Sequence, residues 1–428
     1  MDRLKKWLKV TETYMRSIGK WILIGVIVGT ICGLIGTLFH VGVEYMTEFR
    51  GKHSWLLFLL PVFGLIITGI YKLLTVEGHN TNHILEAVHS GRQLSFLLLP
   101  AIFFSTILTH LGGGSAGREG AALQMGGTIG FHVGRKFSLH DKDIRIATMC
   151  GMSAFFSALF GTPMAATVFS LGVISVGIVY HAALIPCLTG ALTAYGISTL
   201  LGVEPTHFAV EAPALSAVML LKTAVLGILC AGVSILFCAV MHETEHLAVR
   251  YFKNKWLRAA SGGVIIILFT LLYGSQRYNG AGMAVIEEAL TGHSHPWDFL
   301  MKILFTAVTL SFGFKGGEVV PSFFTGAVFG CFIGPFLGIP AGFAAAVGLA
   351  SVFCGVANVP LASVFLAVEL FGAEGMLYFA VACAMSYAFS GYKGLYSSQK
   401  ILYHKLKAEY INIHTNDKNA VSKNDNDA

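Results

Sequence analysis

Long apolar stretches separated by short polar segments run along almost the whole chain. A helix needs about 20 apolar residues to cross a bilayer, and stretches near that length cover residues 21–43, 55–74, 94–111, 146–160, 165–201, 218–241, 259–273, 299–312, 321–370 and 376–389. Two of them, 165–201 and 321–370, are too long for one span and must fold back. The pattern predicts an all-α polytopic membrane protein with ten or more helices, some of them tilted or broken.

The composition agrees with this prediction and excludes an ordinary soluble fold. Hydrophobic residues make up 55% of the chain and charged residues only 12%, whereas a soluble domain carries about twice that charged fraction. The first apolar stretch is long enough to remain as a membrane anchor, so we do not interpret it as a cleaved leader. The formal charge of +6 reflects basic loops, and we expect no nucleic-acid partner because no groove-reading motif is present.

Basic clusters predict the orientation of the chain in the cell membrane. They lie at residues 3–9, 135–145 and 250–258, and such clusters tend to face the cytoplasm. We therefore expect a multi-pass protein with both termini cytoplasmic. The predicted divisions are an amphipathic N-terminal segment (1–17), a first membrane repeat (18–205), a second membrane repeat (206–402) and a polar, disordered tail (403–428).

The two membrane repeats are inferred from internal similarity at an offset of about 200 residues. The segment GHNTNHILEAV at 78–88 matches GAGMAVIEEAL at 280–290, and SAFFSALFGTPMAATVF around Pro163 resembles SVFCGVANVPLASVF around Pro360. Four glycines of the first half, 113, 117, 126 and 130, recur 200 residues later at 313, 317, 326 and 330. Internal symmetry on this scale is typical of transporters, whose substrate sites lie where interrupted helices meet near the midplane.

The glycine-rich segments 112–117 (GGGSAG) and 313–317 (GFKGG) are the candidate interruptions. Each follows an apolar span and precedes a helical segment, so its backbone N–H groups are free. A helix N-terminus carries about half a positive charge and unpaired donors, which favours anion binding. Two such termini facing one point would hold an anion without a fixed positive charge. A fixed positive charge would bind the anion too tightly for fast transit.

Two glutamates at these termini are the candidate gating and proton-transfer residues. Glu119 lies in GREGAAL, and Glu318 in KGGEVVP is its symmetric counterpart within one residue. An acidic group at bilayer depth costs several kcal/mol unless it has a role or a partner. Glu119 could occupy the anion site and take a proton when an anion displaces it, or it could pair with Arg118. Glu318 could carry protons, or only compensate the dipole of the following helix.

Several motifs together resemble the CLC family of chloride channels and proton-coupled anion antiporters. GREGA at 117–121 resembles the family's GREGP element, GGEVVPSFFTGAVFG at 316–330 its GxFxPSLxxGAxxG element, and VANVPLASVFLAVELFG at 356–372 its helix that ends in an acidic residue. The resemblance covers roughly residues 21–398. It implies a homodimer in the lipid bilayer, each subunit having its own pore built from two inverted repeats of tilted and broken helices.

The same resemblance assigns the site residues. Glu119 becomes the gating glutamate, and the Tyr396 hydroxyl closes the inner side of the central anion site, although a lone tyrosine could also be an interfacial anchor. The anion-binding positions implied in the two glycine-rich segments are Gly117, Arg118, Gly120, Gly317, Val319 and Val320.

Departures from the family pattern change the expected substrate. The chloride-selective GSGIP loop corresponds to Gly78, His79, Asn80, Thr81 and Asn82, so its serine is absent, and His79, Asn80 and Thr81 all stay open as the anion contact. Val319 replaces a phenylalanine, and the internal proton-transfer glutamate falls on Gly172 or Val173. These features resemble the bacterial fluoride/proton antiporters. The predicted function is proton-coupled fluoride export, with chloride transport by a channel or antiporter as the alternative, and no cofactor is expected.

Three other interpretations remain as alternatives. His242-Glu243-Thr244-Glu245-His246 fits the HExxH pattern of zinc proteases, but it lies at the polar end of a span without an obvious third ligand. We therefore expect no metal site and no enzymatic activity. GGGSAGREG lacks the Lys-Ser/Thr of a phosphate-binding loop. A proton-coupled transporter of an organic solute would explain the repeat equally well.

Overall fold

Helices account for most of the protein. The computed structural model describes residues 2–416, with side chains from residue 11. Within this range the α-helices are α1 Asp2–Lys52, α2 Leu60–Leu73, α3 Thr81–Ser90, α4 Leu98–Leu111, α5 Glu119–Lys136, α6 Asp141–Phe160, α7 Pro163–Gly172, α8 Leu184–Leu200, α9 Ala217–Tyr251, α10 Lys255–Tyr273, α11 Met283–Leu290, α12 Asp298–Ser311, α13 Val319–Ile333, α14 Ala341–Ala357, α15 Pro360–Phe371 and α16 Met376–Phe389. Short 3-10 turns occupy Ser54–Leu59, His181–Ala183 and Gly334–Leu337.

The helices follow the 200-residue repeat of the sequence. α4 and α12 begin at Leu98 and Asp298, and α6 and α14 begin at Asp141 and Ala341. Seven helices or helix-turn units in the described range are long and apolar enough to cross a membrane, and several others are shorter. The long stretch 165–201 folds back as α7 and α8, and 321–370 divides into α13, α14 and α15. The predicted all-α membrane fold with broken helices is confirmed.

Equivalent breaks interrupt both halves because the same residue types stand there. Gly161 ends α6 in the left-handed conformation (φ 68°), and Pro163 opens α7 two residues later. In the second half Asn358 (φ 57°) and Pro360 do the same between α14 and α15. Glycine and asparagine tolerate positive φ, and proline suits the first helical turn because it has no N–H to leave unpaired.

Glycines pack α5 tightly against α6, and α13 against α14. A Cβ atom on Gly126 would collide with the backbone carbonyl of Gly151, and one on Gly326 would collide with that of Gly348. Small residues let membrane helices approach closely where the surrounding lipid offers little hydrophobic driving force for association. The recurrence of these glycines after 200 residues therefore reflects a helix contact that both repeats need.

Glu369 links the two halves away from the glycine-rich segments. Its carboxylate accepts hydrogen bonds from the N–H groups of Met164 (2.9 Å) and Ala165 (2.8 Å), at the start of α7. The free N–H groups of a helix's first turn require such acceptors, and a negative charge there is favourable. The acidic residue of the segment 356–372, which lies near the end of α15, thus caps a helix of the other repeat.

A small sheet forms where the sequence predicts none. β1 (Ser175–Val176) pairs in parallel with β2 (Lys400–Tyr403), and β2 pairs antiparallel with β3 (Tyr410–His414). The expectation that the tail is disordered from residue 403 is therefore wrong as far as β3. The remainder of the tail, 417–428, lies outside the described residues. At the other end, residues 2–17 of the predicted N-terminal segment continue without a break into the first span as α1.

Replacing Glu369 with Ala should lower the free energy of unfolding by about 2 kcal/mol, because two hydrogen bonds to a charged acceptor are lost. Thermal unfolding of the purified protein in detergent measures this, and Glu369→Gln, which keeps one acceptor oxygen, should lose less. Glu374→Ala, an exposed glutamate shortly after α15, serves as the control. Equal stability of E369A and E374A would contradict the capping role.

Candidate anion site

The two glycine-rich segments meet in a reciprocal backbone contact. The Gly117 N–H donates to the Gly317 carbonyl at 2.8 Å, and the Gly317 N–H donates to the Gly117 carbonyl at 2.9 Å. This antiparallel bridge joins residues 200 positions apart, as a two-fold relation between the repeats requires. Gly120 packs against the backbone of Gly316 and Gly317, where a Cβ atom would clash. The bridge brings the N-termini of α5 and α13 to one point.

The carboxylate of Glu119 occupies this point. One oxygen accepts a hydrogen bond from the Val320 N–H, in the first turn of α13, at 3.2 Å, and the other accepts from the Arg118 N–H at 3.1 Å. The side chain is fully buried. Backbone N–H groups at helix N-termini bind anions, so this carboxylate sits where a free anion would bind. Val319, also fully buried, is the first residue of α13.

Arg118 does not form a salt bridge with Glu119, which the sequence left open as an alternative role for Glu119. Its guanidinium lies near the Leu159 carbonyl (3.5 Å) and over the Phe160 ring (5.8 Å). Among the described residues, no ion pair within 4 Å involves Arg118. Backbone N–H groups at helix N-termini therefore provide the direct hydrogen bonds to the buried carboxylate.

Two cavities are lined by neighbours of Glu119. The first, called here the Arg118 cavity, has a volume of about 820 Å³ and is lined by Arg118 and Val320 among others. The second, called the Tyr396 cavity, has a volume of about 280 Å³ and is lined by Tyr396, Glu318 and Gly316 among others. Glu119 accepts from Val320, which lines the Arg118 cavity, and lies beside Gly317, the neighbour of Gly316 in the Tyr396 cavity. Its carboxylate therefore lies between the linings of the two cavities.

Two polar side chains, Tyr396 and Glu318, line the Tyr396 cavity. The Tyr396 side chain is 2% exposed, and its hydroxyl has no hydrogen-bond partner among the described residues. Glu318 stands immediately before α13, is partly buried and forms no ion pair with a described side chain. A buried hydroxyl donor beside a partly buried carboxylate can serve both an anion and a proton.

The loop at the position of the family's serine motif lines the Tyr396 cavity with some of its residues but not with others. His79, Asn80 and Thr81 line it, whereas exposed Gly78 lines only a neighbouring cavity. The Asn80 side chain accepts from the His83 N–H (3.3 Å) and so caps α3. Thr81 is buried beside Gly120 and accepts a hydrogen bond from Gln124 at 3.4 Å. Thr81 is therefore the candidate nearest to the N-terminus of α5.

Gln124 is a lining residue that the sequence analysis missed. It lies on the first turns of α5 after Glu119, is 4% exposed, and its Oε1 has no partner among the described residues. The sequence feature that could have identified Gln124 is its position as the one amide in the otherwise apolar and glycine-rich run GAALQMGG. Its spacing from Glu119 does not by itself say which cavity it faces.

The HETEH segment lies at the end of α9 beside the Tyr396 cavity. His242 Nε2 is 2.9 Å from the Gly394 carbonyl and 3.0 Å from the Asn416 amide nitrogen, while His246 is exposed. Across the described part of the chain, no group of three His, Cys, Asp or Glu side chains is arranged to hold a metal ion. Contacts with the C-terminal segment thus account for the position of His242.

Broken helices in two repeats, with a carboxylate held by backbone amides between two cavities, define a membrane protein that transports an anion. The chain belongs to the voltage-gated chloride channel (CLC) family, whose model matches residues 63–391. The resemblance identified from the sequence motifs is therefore confirmed.

Individual relatives agree with this assignment. A chloride/fluoride channel protein of Pseudomonas syringae pv. tomato is 34% identical over 394 residues, which cover 90% of this chain and 87% of that protein. An H+/Cl− exchange transporter of Vibrio parahaemolyticus is 27% identical and covers 82% of this chain and 81% of its own length.

Solved structures show the same fold. The crystal structure of a CLC-type fluoride/proton antiporter matches with a TM-score of 0.86 at 32% identity, covering 89% of this chain and 98% of that one. A slow cyanobacterial Cl−/H+ antiporter matches with a TM-score of 0.73 at 20% identity, covering 86% and 94%. The arrangement of broken helices is thus shared with both.

Replacing Glu119 with Gln should abolish proton movement coupled to anion transport, because an amide at this position neither binds nor releases a proton. Purified protein in liposomes, with an anion electrode and a pH electrode read together, measures both movements. Proton movement should fall to the level of protein-free liposomes, while E374Q should behave as wild type. If proton movement remained coupled to anion transport in E119Q, Glu119 would not be the residue that carries the proton.

Replacing Glu318 with Gln should tighten anion binding severalfold, because a negative charge is removed from a site with low dielectric constant, and should slow proton movement. The half-saturating anion concentration and the ratio of protons to anions are the quantities to compare. If neither changes, Glu318 only compensates the dipole of α13.

Proposed function

We propose that the protein exchanges fluoride for protons across the cell membrane and exports fluoride. The observation that supports this most directly is the Glu119 carboxylate, which accepts hydrogen bonds from the Val320 and Arg118 N–H groups. A carboxylate and a fluoride ion are both compact acceptors, so they compete for these donors. An anion can take the place of the carboxylate only when the carboxylate leaves.

This competition supplies a reason for proton coupling. A displaced Glu119 carboxylate must remain near the buried point between the two cavities, where an unpaired charge is costly. Taking up a proton removes that charge, so displacement by an anion and protonation favour each other. Glu318, which lines the Tyr396 cavity, is the group we propose to receive or deliver protons on that side.

Fluoride suits the polar groups around the Tyr396 cavity. Fluoride is small, strongly hydrated and a strong hydrogen-bond acceptor, so a site for it must offer several donors. The unpartnered Tyr396 hydroxyl and the buried Thr81 hydroxyl are available besides the helix N-termini. Two relatives above 30% identity are a chloride/fluoride channel protein and a fluoride/proton antiporter, which favours fluoride. Chloride transport by the same site is the second candidate.

Charge supports an orientation in which the Tyr396 cavity opens to the cytoplasm. Lys255 and Arg258 line the cavity that adjoins it, and Arg145 donates to the His89 carbonyl at the end of α3. Lys20, in the first half of α1, pairs with Asp143. Positive residues favour the cytoplasmic side. β3 pairs with β2, which follows Tyr396 closely, so we place the C-terminal segment on this side. The Lys20–Asp143 pair supports the same side for the N-terminal segment.

We infer that two copies of the chain associate, as the family resemblance implies. Large apolar side chains of α8 are exposed, among them Ile185 (41%) and Leu192 (49%). In a membrane such a face contacts either lipid or another subunit. We propose no enzymatic activity, since the buried acidic residues of this site are arranged around an anion path.

Liposomes that contain the purified protein and are loaded in turn with fluoride and chloride should release fluoride with opposed proton movement and release little chloride. An anion electrode and a pH electrode record both movements, and protein-free liposomes give the background. Equal chloride release would replace fluoride export by chloride transport. Absence of both fluxes would favour an organic solute.

A further inference from the structure

A buried arginine of the Arg118 cavity has hydrogen-bonding capacity that the protein does not use. Arg50, in the last turn of α1, is 8% exposed and lines this cavity. Its Nε and Nη1 atoms have no hydrogen-bond partner among the described residues. A guanidinium carries five N–H donors in a fixed fork, and leaving such donors unpaired in a buried place is unfavourable.

The backbone around Arg50 leaves room for the guanidinium. A Cβ atom on Gly113 would lie 3.1 Å from Nη1, and one on Gly280 would lie 3.2 Å from Nη2. Both glycines have positive φ (81° and 64°). The nearby Gly113 carbonyl already accepts from the Asn279 amide (2.7 Å), and the Gly280 carbonyl accepts from Lys302 (2.7 Å). Two nearby backbone acceptors are therefore already engaged.

Other positive charges surround the same place. Arg50, Arg118 and Lys302 are all close enough to the buried His110 ring to interact with it electrostatically. No ion pair within 4 Å joins any of these three cations to a described carboxylate. Nδ1 of His110, which also lines the cavity, has no partner in the described residues either.

The acidic residues of the cavity are exposed, so they offset this positive charge less than a buried carboxylate does, although Glu44 acts electrostatically on Arg118. Those that line it are Glu44, Glu48, Glu204 and Glu287. Water and salt screen exposed charges, whereas buried charges are screened much less. The buried carboxylate that acts on both Arg118 and Lys302 is Glu119. When Glu119 is neutral or moves away, the buried cations have an excess of positive charge.

We propose that the Arg118 cavity holds a small inorganic anion at its buried end, against the Arg50 guanidinium, as a second anion position beyond Glu119. This inference rests on the proposed anion transport. The position receives the anion that has passed Glu119 and releases it to solvent through the open cavity. A charged side chain is better tolerated at this position than it would be at the central site. The cavity is open to solvent, and the anion has already crossed the gate.

A structural role for Arg50 is the competing explanation, since a cation in the last turn of a helix compensates the helix dipole. Anion binding measured directly on the purified full-length protein separates the two. Isothermal titration calorimetry with sodium fluoride should show that Arg50→Gln weakens fluoride binding about tenfold, which is about 1.4 kcal/mol. Arg50→Lys, which keeps the charge but not the fork, should lie between R50Q and wild type.

Arg16→Gln is the matched control, because Arg16 lies on the same helix but is exposed and paired with Glu12; it should bind as wild type. A second comparison excludes the possibility that Arg50 serves only as a partner for the displaced Glu119 carboxylate. In the E119Q background that carboxylate is absent, and R50Q should still weaken fluoride binding about tenfold.

Flux through liposomes gives an independent check. In R50Q the half-saturating fluoride concentration should rise while the maximal rate and the proton-to-fluoride ratio stay unchanged. A helix-dipole role would leave fluoride affinity unchanged in both R50Q and R50K and lower thermal stability only in R50Q, because lysine keeps the charge; that outcome would overturn the proposal. Wild-type protein that neither binds nor moves fluoride or chloride would instead disprove the proposed function.

Discussion

The burial of the Glu119 carboxylate between two helix N-termini is the constraint on which the rest of the site depends. A carboxylate that is fully buried in a membrane protein requires hydrogen-bond donors, and the N–H groups of Arg118 and Val320 supply them. The Arg118 donor belongs to the N-terminus of α5 and the Val320 donor to that of α13. The reciprocal Gly117–Gly317 bridge fixes the two N-termini close enough to share one carboxylate, so the site exists only where the repeats meet.

Helix packing makes that meeting possible. The close contacts of Gly126 with Gly151, and of Gly326 with Gly348, set the positions of α5 and α13 relative to their neighbours. Side chains at these glycines would push the helices apart and move both N-termini. Glu369, which caps α7 from α15, adds a further connection between the halves. Residues far from the anion path thus determine the geometry at Glu119.

Much of this arrangement could be predicted from the sequence, because a repeat fixes which segments correspond. The two glycine-rich N-termini and the acidic residue at each followed from the 200-residue offset. The direction of side chains did not follow. The sequence could not choose among His79, Asn80 and Thr81, since the choice depends on Asn80 capping α3 and Thr81 packing against Gly120. The pairing of β2 with β1 was equally hidden, because strands of two to four residues carry no periodicity.

The placement of fixed charges distinguishes the two sides of Glu119. At the centre the direct hydrogen bonds to the carboxylate come from backbone N–H groups, which hold an acceptor without the strong binding of a full positive charge. On the side of the Arg118 cavity, Arg50 and Lys302 are buried without an ion-pair partner among the described residues, and exposed glutamates line the same cavity. On the proposed path from Glu119 through the Arg118 cavity, an anion first leaves neutral donors, then meets buried cations, and finally passes exposed negative charge. The last of these favours release into solvent over return to the centre.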